Sequence, residues 1–541
     1  MKKRTVLIFM LAWLGVQLSA QKYFVSFTDK NNNSFSISNP GEFLSERAIE
    51  RRQKFNIDIT EQDLPVTQSY LDSLLNMGVK IYLSSKWLNG AIIETSNAEL
   101  IDTITRVSFI QASKLIWKPS ELPASQKYNP VFSQIPHALK SSSEYGQAWQ
   151  QTATVNGQHL HENNYQGENI LIAVIDNGFH QVNTLPSFEH LWNNGQIIST
   201  FNFVEPGASI FENIGNHGMS VLSIMGGYIP GEIKGSAPKA SYTLLRTEDN
   251  SSEYPIEEYN WVCAAEYADS IGADIINSSV GYYFFEDGSM SYSYEDMDGQ
   301  TSISVQGAET AFAKGMVVVC SAGNEGAMSW KYIITPSDGE NVLAIAAMQS
   351  DSTRAGFSSY GPSFDGRIKP DMTAIGYQTA LQNPDGSISQ SSGTSFSAPV
   401  ITGLISCLWQ AKPELSNAQI LNLVKQSCHN YDNPDYSFGY GIPDFKSALD
   451  INSGIVDQSL KAPYLVKPNP FINHITISST SGNIINATVK LYNINGKCLL
   501  VNKCIAEQSI QIKDLQYLAP GIYILHIQDQ SEHFTFKLLK K

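Results

Sequence analysis

Four short runs constrain this chain more than anything else in it: ILIAVI (170 to 175), DIINSSV (274 to 280), MVVVC (316 to 320) and VLAIAA (342 to 347). Each is almost purely apolar, and segments with helical patterning separate them. A strand that is apolar on both faces has no face to give to water, so it belongs in a parallel sheet covered by helices on both sides. Residues 143 to 452 are therefore expected to form a doubly wound, mainly parallel α/β domain. In such sheets the chemistry lies beyond the carboxyl ends of the strands, which says where to search.

The flanks are patterned differently. The chain begins MKKRTVLIFMLAWLGVQLSA, in which Lys2, Lys3 and Arg4 form a basic head, Val6 to Val16 a short apolar core and Ala20 a small residue at a cleavage point. This predicts an export signal over residues 1 to 20. From 21 to 117, YFVSF, the charged helical stretch FLSERAIERRQKF, YLDSLLNMGVKIYLSS, WLNGAIIET, NAELIDTIT and VSFIQASKLI have the strand, helix and strand patterning of a small α/β domain. A polar linker with Pro119, Pro123, Pro130 and Pro136 is expected over 118 to 142. At the other end, over 457 to 541, HITISS, NATVKLYNI, SIQIKDL, GIYILHIQ and HFTFKLL alternate with period two between turn signals. That predicts a small antiparallel β-sandwich.

A formal net charge of −15 without a concentrated basic patch argues against a nucleic-acid partner. Six cysteines are few for an exported chain and none form a CxxC pair, so neither a disulfide scaffold nor a zinc site is expected. Cys263, Cys320 and Cys407 sit in apolar patterns and are read as small buried hydrophobes. Cys498 and Cys504 are left open as a local pair.

Four segments place reactive groups at strand or helix ends. AVIDNGF puts Asp176 at the carboxyl end of the first apolar run; alone, such a carboxylate reads equally as a helix cap or an acceptor for backbone N–H groups. NHGMSVLSIMGG opens with His217 a run of small and apolar residues, as expected of a helix packed closely in the core. VVVCSAGNEG runs a strand into a glycine-rich turn presenting Asn324, which suits a left-handed turn position and equally suits an amide aimed at a developing negative charge. In SSGTSFSAPV, Ser395 stands at the mouth of the buried-helix pattern VITGLISCLWQ, where orphan N–H groups and the helix dipole favour an oxyanion. Gly393 permits close approach of backbone or substrate. A serine hydroxyl needs an adjacent base to attack near neutral pH, and the base needs a partner to hold its tautomer. His217 and Asp176 are candidates for those roles, with Asn324 and the Ser395 N–H as oxyanion donors. Asp, His, Ser is one of the chain orders in which such triads occur.

AVIDNGF, NHGMSV, SAGNEG and SGTSFSAP resemble the four signatures of the subtilisin-like serine proteases, and the resemblance extends over about 143 to 452 through INSSVG and FGYGIPDFKSAL. It implies a serine endopeptidase acting on protein or peptide substrates through an acyl-enzyme, with Asp176, His217 and Ser395 as triad and Asn324 as oxyanion donor. It also implies that Ser279, Val280 and Gly281 form the edge that pairs with substrate backbone. Asn177, Met219 and Phe396 stand where the family usually has Thr or Ser, Thr, and Met or a small residue; these departures retain every reacting group and bear on the shape of the pocket. The N-terminal α/β segment resembles, by position and pattern, the propeptide of this family, an intramolecular inhibitor. The C-terminal sandwich, with VKPNPF, VKLYNINGK, LAPGIYILHI and a Lys-rich end, is similar to the sorting domains of the type IX secretion system. That implies this machinery as a partner and delivery through the outer membrane to the cell surface or medium.

Rival readings fare worse. An α/β-hydrolase esterase needs G-x-S-x-G, which fails at Ser397, and a histidine after its serine. A catalytically silent scaffold need not retain all four groups. The chemistry requires no cofactor. For a structural calcium ion, EDMDG (295 to 299) offers ligands of the hard-cation kind, although an exposed acidic loop needs no ion.

Overall fold

The computed structural model describes residues 20–119, 144–451, 464–479, 487–493, 497–504, 509–529 and 532–541. The expected export signal and linker fall almost wholly outside them.

The N-terminal segment contains strands β1 (Gln21–Phe27), β2 (Lys80–Ser85), β3 (Gly90–Thr95) and β4 (Ile110–Trp117), with helices α1 (Glu46–Phe55), α2 (Gln68–Asn76) and α3 (Ala98–Ile104) between them. The strands form one antiparallel sheet in the order β2-β3-β1-β4. Helix α1 begins where the Ser45 side chain accepts from the Ala48 N–H, and ends at Asn56 in the left-handed region.

Seven strands build the sheet that the apolar runs anticipate: β5 (Leu171–Asp176), β6 (Ile197–Asn202), β7 (Ser241–Arg246), β8 (Ile275–Ser278), β9 (Val317–Ser321), β10 (Leu343–Met348) and β11 (Met372–Ile375). Their order is β11-β10-β9-β8-β5-β7-β6, and every neighbouring pair is parallel. Every residue of β5, β8, β9, β10 and β11 is buried, which is why these strands lack polar alternation. Helices α4 (His217–Gly226), α5 (Ile256–Ile271), α6 (Ile303–Ala313) and α7 (Thr394–Ala411) pack on the sheet or on one another. Among the described residues no helix is long and apolar enough to cross a membrane.

The strand order reverses between β5 and β8. From β5 the chain builds β6 and β7 on one side, then returns to β8 and continues to β11 on the other. A crevice opens at such a point, at the carboxyl ends of the strands. Register decides what meets there: Ser278 is level with Ile175 on one side and with Cys320 on the other. Asp176, Ser279 and the turn after Ser321 therefore leave the sheet side by side.

The C-terminal unit consists of β12 (Tyr464–Lys467), β13 (Ile475–Ser479), β14 (Ala487–Asn493), β15 (Cys498–Cys504), β16 (Ser509–Ile512), β17 (Gly521–Asp529) and β18 (Glu532–Lys540). Two antiparallel sheets, β12-β13-β16 and β15-β14-β17-β18, share one core in which Ile475, Ile477 and Ile510 meet Val489, Leu491, Leu525 and Ile527. Strands β12 and β15 are absent from the alternation read in the sequence. β12 has four residues with one buried, and β15 has none buried among its described side chains, so neither shows an alternating apolar face. Cys498 and Cys504 end opposite termini of β15, level with Tyr492 and Ala487. At about 3.3 Å per residue they are roughly 20 Å apart, beyond the reach of a disulfide, and Cys498 is a free thiol.

Candidate active site

Asp176 closes β5 and is wholly buried. Its Oδ1 accepts from the Asn177 N–H (2.8 Å) and from His217 Nδ1 (2.8 Å). Oδ2 accepts no hydrogen bond among the described residues. An ionised carboxylate has no proton to offer, so Nδ1 carries the hydrogen and Nε2 is left as the basic nitrogen of the ring. His217 is the first residue of α4, and Gly218 lets that helix come close. A methyl group on Gly218 would stand 2.7 Å from the Gly178 carbonyl oxygen and 2.8 Å from Asp176 Cβ.

Ser395 is the second residue of α7. Its Oγ donates to the Ser279 carbonyl (3.2 Å), and Ser279 Oγ donates to the Ser395 carbonyl (3.0 Å), a reciprocal pair that locks the nucleophile candidate to the substrate-edge candidate. The Phe396 ring lies 5.7 Å from the His217 ring, so the imidazole sits beside the same helix mouth. A hairpin, Thr379–Gln382 with Ile388–Ser391, fixes this relation. Gln382 donates through its N–H to Ser223 Oγ in α4 (2.9 Å) and accepts from Ser220 Oγ (3.3 Å), while Gly393 N–H donates to Gly376 (2.8 Å). Ser391 therefore ends a strand rather than lying in a loop, Ser392 Oγ accepts from Gln378 N–H, and Ser397 is buried and donates to Thr394.

Asn324 stands in the turn after β9. Its Oδ1 accepts from the Thr394 N–H (2.9 Å) and lies 3.1 Å from the Thr394 hydroxyl. The amide oxygen is thus turned toward the start of α7. Thr394 Oγ1 also accepts from the Gly323 N–H (3.2 Å). Gly323 has φ of 109°, and a methyl there would strike the Glu325 carboxylate, so only glycine suits the turn. Sequence reading passed over Thr394, because its partners lie 70 residues away and nothing in GTS distinguishes a brace from an ordinary cap. Glu325 was also passed over; burial pushes its carboxyl up, and its Oε2 accepts from Ser359 Oγ (3.0 Å).

Ser279 and Val280 are buried where the chain leaves β8, followed by the partly exposed Gly281. The next residue, Tyr282, exchanges hydrogen bonds with Thr335 at 2.8 and 3.2 Å. The seven residues singled out in the sequence thus stand at or just beyond the carboxyl ends of β5, β8 and β9 and at the starts of α4 and α7. Of the three departures, Asn177 donates from Nδ2 to Asn250 (3.1 Å), Met219 is buried in α4, and Phe396 packs on His217. The carboxylates of the acidic stretch 295 to 299 hold their own loop through hydrogen bonds. Asp298 accepts from Gln300, from the Thr301 N–H and from its hydroxyl, while Asp296 accepts from the Ser293 N–H and hydroxyl. Among the described residues no three His, Cys, Asp or Glu side chains cluster as metal ligands.

The N-terminal sheet docks on α5, with the rings of Phe24 and Tyr259 4.6 Å apart. Glu266 of α5 accepts from Ser85 Oγ and from the N–H groups of Lys86 and Trp87. Below, a buried ionic cluster crosses the junction. Arg52 reaches Asp63 (3.1 Å) and Asp269 (2.8 Å), Arg51 reaches Asp269 (2.6 Å), and Lys314 reaches Asp63 (3.0 Å). Burial pushes Glu266 up and Arg51 and Lys314 down, each in the direction that disfavours its charge. Asp63 is the exception: against burial, the Thr60 N–H and the Arg52 guanidinium hold it below the usual range. Past β4, Lys118 pairs with Asp287 (2.7 Å), a few residues beyond the Ser279–Gly281 edge.

Residues 167–441, just over half of the chain, match the model of the subtilase family. The chain belongs to that family. In this subtilase, residues 22–130 match the peptidase S8 propeptide domain of Bacteroidota, and residues 466–541 a secretion system C-terminal sorting domain. Subtilisin NAT of Bacillus subtilis subsp. natto is 25% identical over 316 residues, covering 58% of this chain and 73% of the relative. Two solved structures share the fold. The epidermin leader peptide processing serine protease of Staphylococcus aureus has a TM-score of 0.54 at 15% identity, over 80% of this chain and 98% of that one. Fervidolysin from Fervidobacterium pennivorans has a TM-score of 0.53 at 19% identity, over 94% of this chain and 70% of that one. The subtilase is a serine endopeptidase, and its type IX sorting domain indicates export to the surface or the medium.

Proposed function

We propose that this subtilase is an exported zymogen that hydrolyses peptide bonds through Asp176, His217 and Ser395. His217 Nε2 takes the Ser395 proton as Oγ attacks the scissile carbonyl. Asp176 holds the Nδ1–H and stabilises the imidazolium, and the Asn324 NH₂ with the Ser395 N–H carries the oxyanion. The amine leaves with the proton from His217, and water then deacylates by the reverse roles. Substrate backbone pairs along Ser279, Val280 and Gly281. The observation that carries this reading is the buried 2.8 Å bond from His217 Nδ1 to Asp176 at the mouth of the crevice that holds Ser395.

The N-terminal domain serves as an intramolecular inhibitor, supported by the passage of its last strand toward the substrate edge. Secretion proceeds through both membranes, with the sorting domain engaging the type IX machinery. The reaction needs no cofactor, since every charge that develops meets a protein group. Labelling of the processed enzyme with a serine-directed fluorophosphonate, mapped by peptide mass spectrometry, tests the assignment. An adduct on Ser395 that is absent from Ser395→Ala supports it, and a folded processed enzyme that stays unlabelled overturns it.

A further inference from the structure

Helix α1 meets the catalytic domain at the edge of the sheet that the crevice does not use. Arg47, Arg51 and Lys54 follow one another at spacings of four and three residues and so share one face of the helix. Each reaches a carbonyl oxygen where a helix of the catalytic domain stops. Arg47 donates to the Gly272 carbonyl (2.9 Å) and Arg51 to the Ala273 carbonyl, both just past α5. Arg51 also donates to the Lys314 carbonyl (3.2 Å) just past α6, and Lys54 to the Pro413 carbonyl beyond α7. The last carbonyls of a helix lack partners of their own and carry the negative end of its dipole, so a cation placed there answers both. Three helix ends thus share one basic stripe. Apolar contact seals it: the Phe55 ring lies 6.5 Å from Trp409 of α7, and a methyl placed on Gly315 would stand 2.7 Å from Ile57 Cδ1.

This anchor is remote from the reacting groups. Asp274, which pairs with Arg47 and accepts from the Leu171 N–H (2.8 Å), marks the amino ends of β8 and β5, whereas Asp176 and Ser279 leave at their carboxyl ends. Helix α7 gives the separation, since Ser395 is in its first turn, Trp409 is near its end, and its 18 residues span about 27 Å. The same domain approaches the substrate edge by other residues, through Trp117 Nε1 to Ser252 Oγ (3.4 Å) and Lys118 to Asp287 at the end of β4. Given the inhibitory role proposed above for this domain, we propose that α1 holds it on the processed enzyme as a non-covalent, dissociable subunit while the crevice stands open. Cutting the chain beyond β4 frees the strand end that approaches the crevice and removes no contact of α1. Departure of α1 would strip three helix ends at once and part Asp269 from Arg51 and Arg52. The subunit is thus a piece of the same chain, recognised by the cations on one helix face, and it braces the enzyme that it no longer blocks.

The test is gel filtration of the processed protein in dilute buffer, each peak being analysed by mass and titrated with the fluorophosphonate. One copy of the fragment that bears residues 46–55 is expected per catalytic chain, with a reactive serine in that same peak. Reactive serine confined to fragment-free protein, or reactive protein that retains no fragment, overturns the proposal and leaves the triad reading standing. No reactive serine in any peak defeats the triad reading, and the open crevice with it. Arg51→Met is expected to speed loss of the fragment by about tenfold or more, as truncation of a buried, paired charge does, and Lys118→Ala at the end of β4 to leave it within about twofold. An unchanged rate with Arg51→Met, or an equal acceleration by both variants, overturns the proposal. If the Arg51 variant fails to fold, the exposed Lys54→Glu is expected to speed loss by about threefold, the size of a cation's effect at one helix end; no change overturns it equally.

Discussion

The cleft and the face beneath the N-terminal sheet occupy the same domain and use buried polar groups in different ways. In the cleft, short uncharged side chains fasten backbone to backbone, as Ser279 with Ser395 and Thr394 with Asn324 and Gly323, around one Asp–His pair. At the docking face, Arg51, Arg52, Asp63, Asp269 and Lys314 bury full charges, and Glu266 is desolvated to receive the turn at Ser85 to Trp87. Neutral hydrogen bonds fix geometry at small desolvation cost, whereas a buried ionic cluster depends on every member being present. The first arrangement suits a site that keeps its shape through turnover. The second suits a joint that is complete in the precursor and has no intermediate strength.

The contrast predicts that cleft variants lose rate and keep stability, and that docking-face variants do the reverse. Ser395→Ala is expected to lower kcat by about 10⁶, the size known for the nucleophile of subtilisin itself, with an unchanged urea midpoint. Asn324→Ala is expected to cost about 10²–10³ in kcat with little change in KM, again the range known for an oxyanion donor in subtilisin. A drop in midpoint with Ser395→Ala would break the comparison at the cleft. At the other face, Arg52→Met in the uncleaved Ser395→Ala precursor is expected to destabilise the first unfolding transition by about 3 kcal/mol, toward the low end of buried-pair losses because Arg51 and Lys314 remain. Arg47→Ala removes a half-exposed partner of Asp274 and is expected to cost well under 1 kcal/mol in the same measurement. Equal effects from Arg52 and Arg47 would erase the distinction drawn for the buried cluster. The smallest effect concerns divalent ions. Chelation by EDTA is expected to leave kcat on a peptide substrate within about twofold, because the proposed mechanism assigns every developing charge to a protein group.

Much of this architecture is legible in the chain because burial leaves a local trace. Strands β5, β9 and β10 show as apolar runs, β8 (IINS) less cleanly, and the strand-end rule leads from them to Asp176 and Asn324. Ser395 follows from a helix mouth, and His217 from its place before a run of small residues. The brace on Asn324 by Thr394 left no such trace, since that hydrogen bond joins distant residues whose spacing means nothing until the sheet order is known. Strands β12 and β15 escaped notice because they bury few side chains, so no alternating apolar face marks them.

Under the role proposed for the N-terminal domain, its release would also divide the ionic cluster. Asp269, Asp274 and Glu266 stay with the catalytic domain, while their partners Arg51, Arg52, Arg47 and Lys86 depart, and of the cluster cations only Lys314 remains behind. The mature enzyme is left with an acidic face that matches a basic one on the released domain. Recapture is then an encounter between oppositely charged surfaces, fastest in dilute buffer and slowed as salt shortens the reach of the field to about 10 Å at 0.1 M. The ionic strength of the medium into which the protein is delivered would then set how long a released N-terminal domain keeps finding its way back.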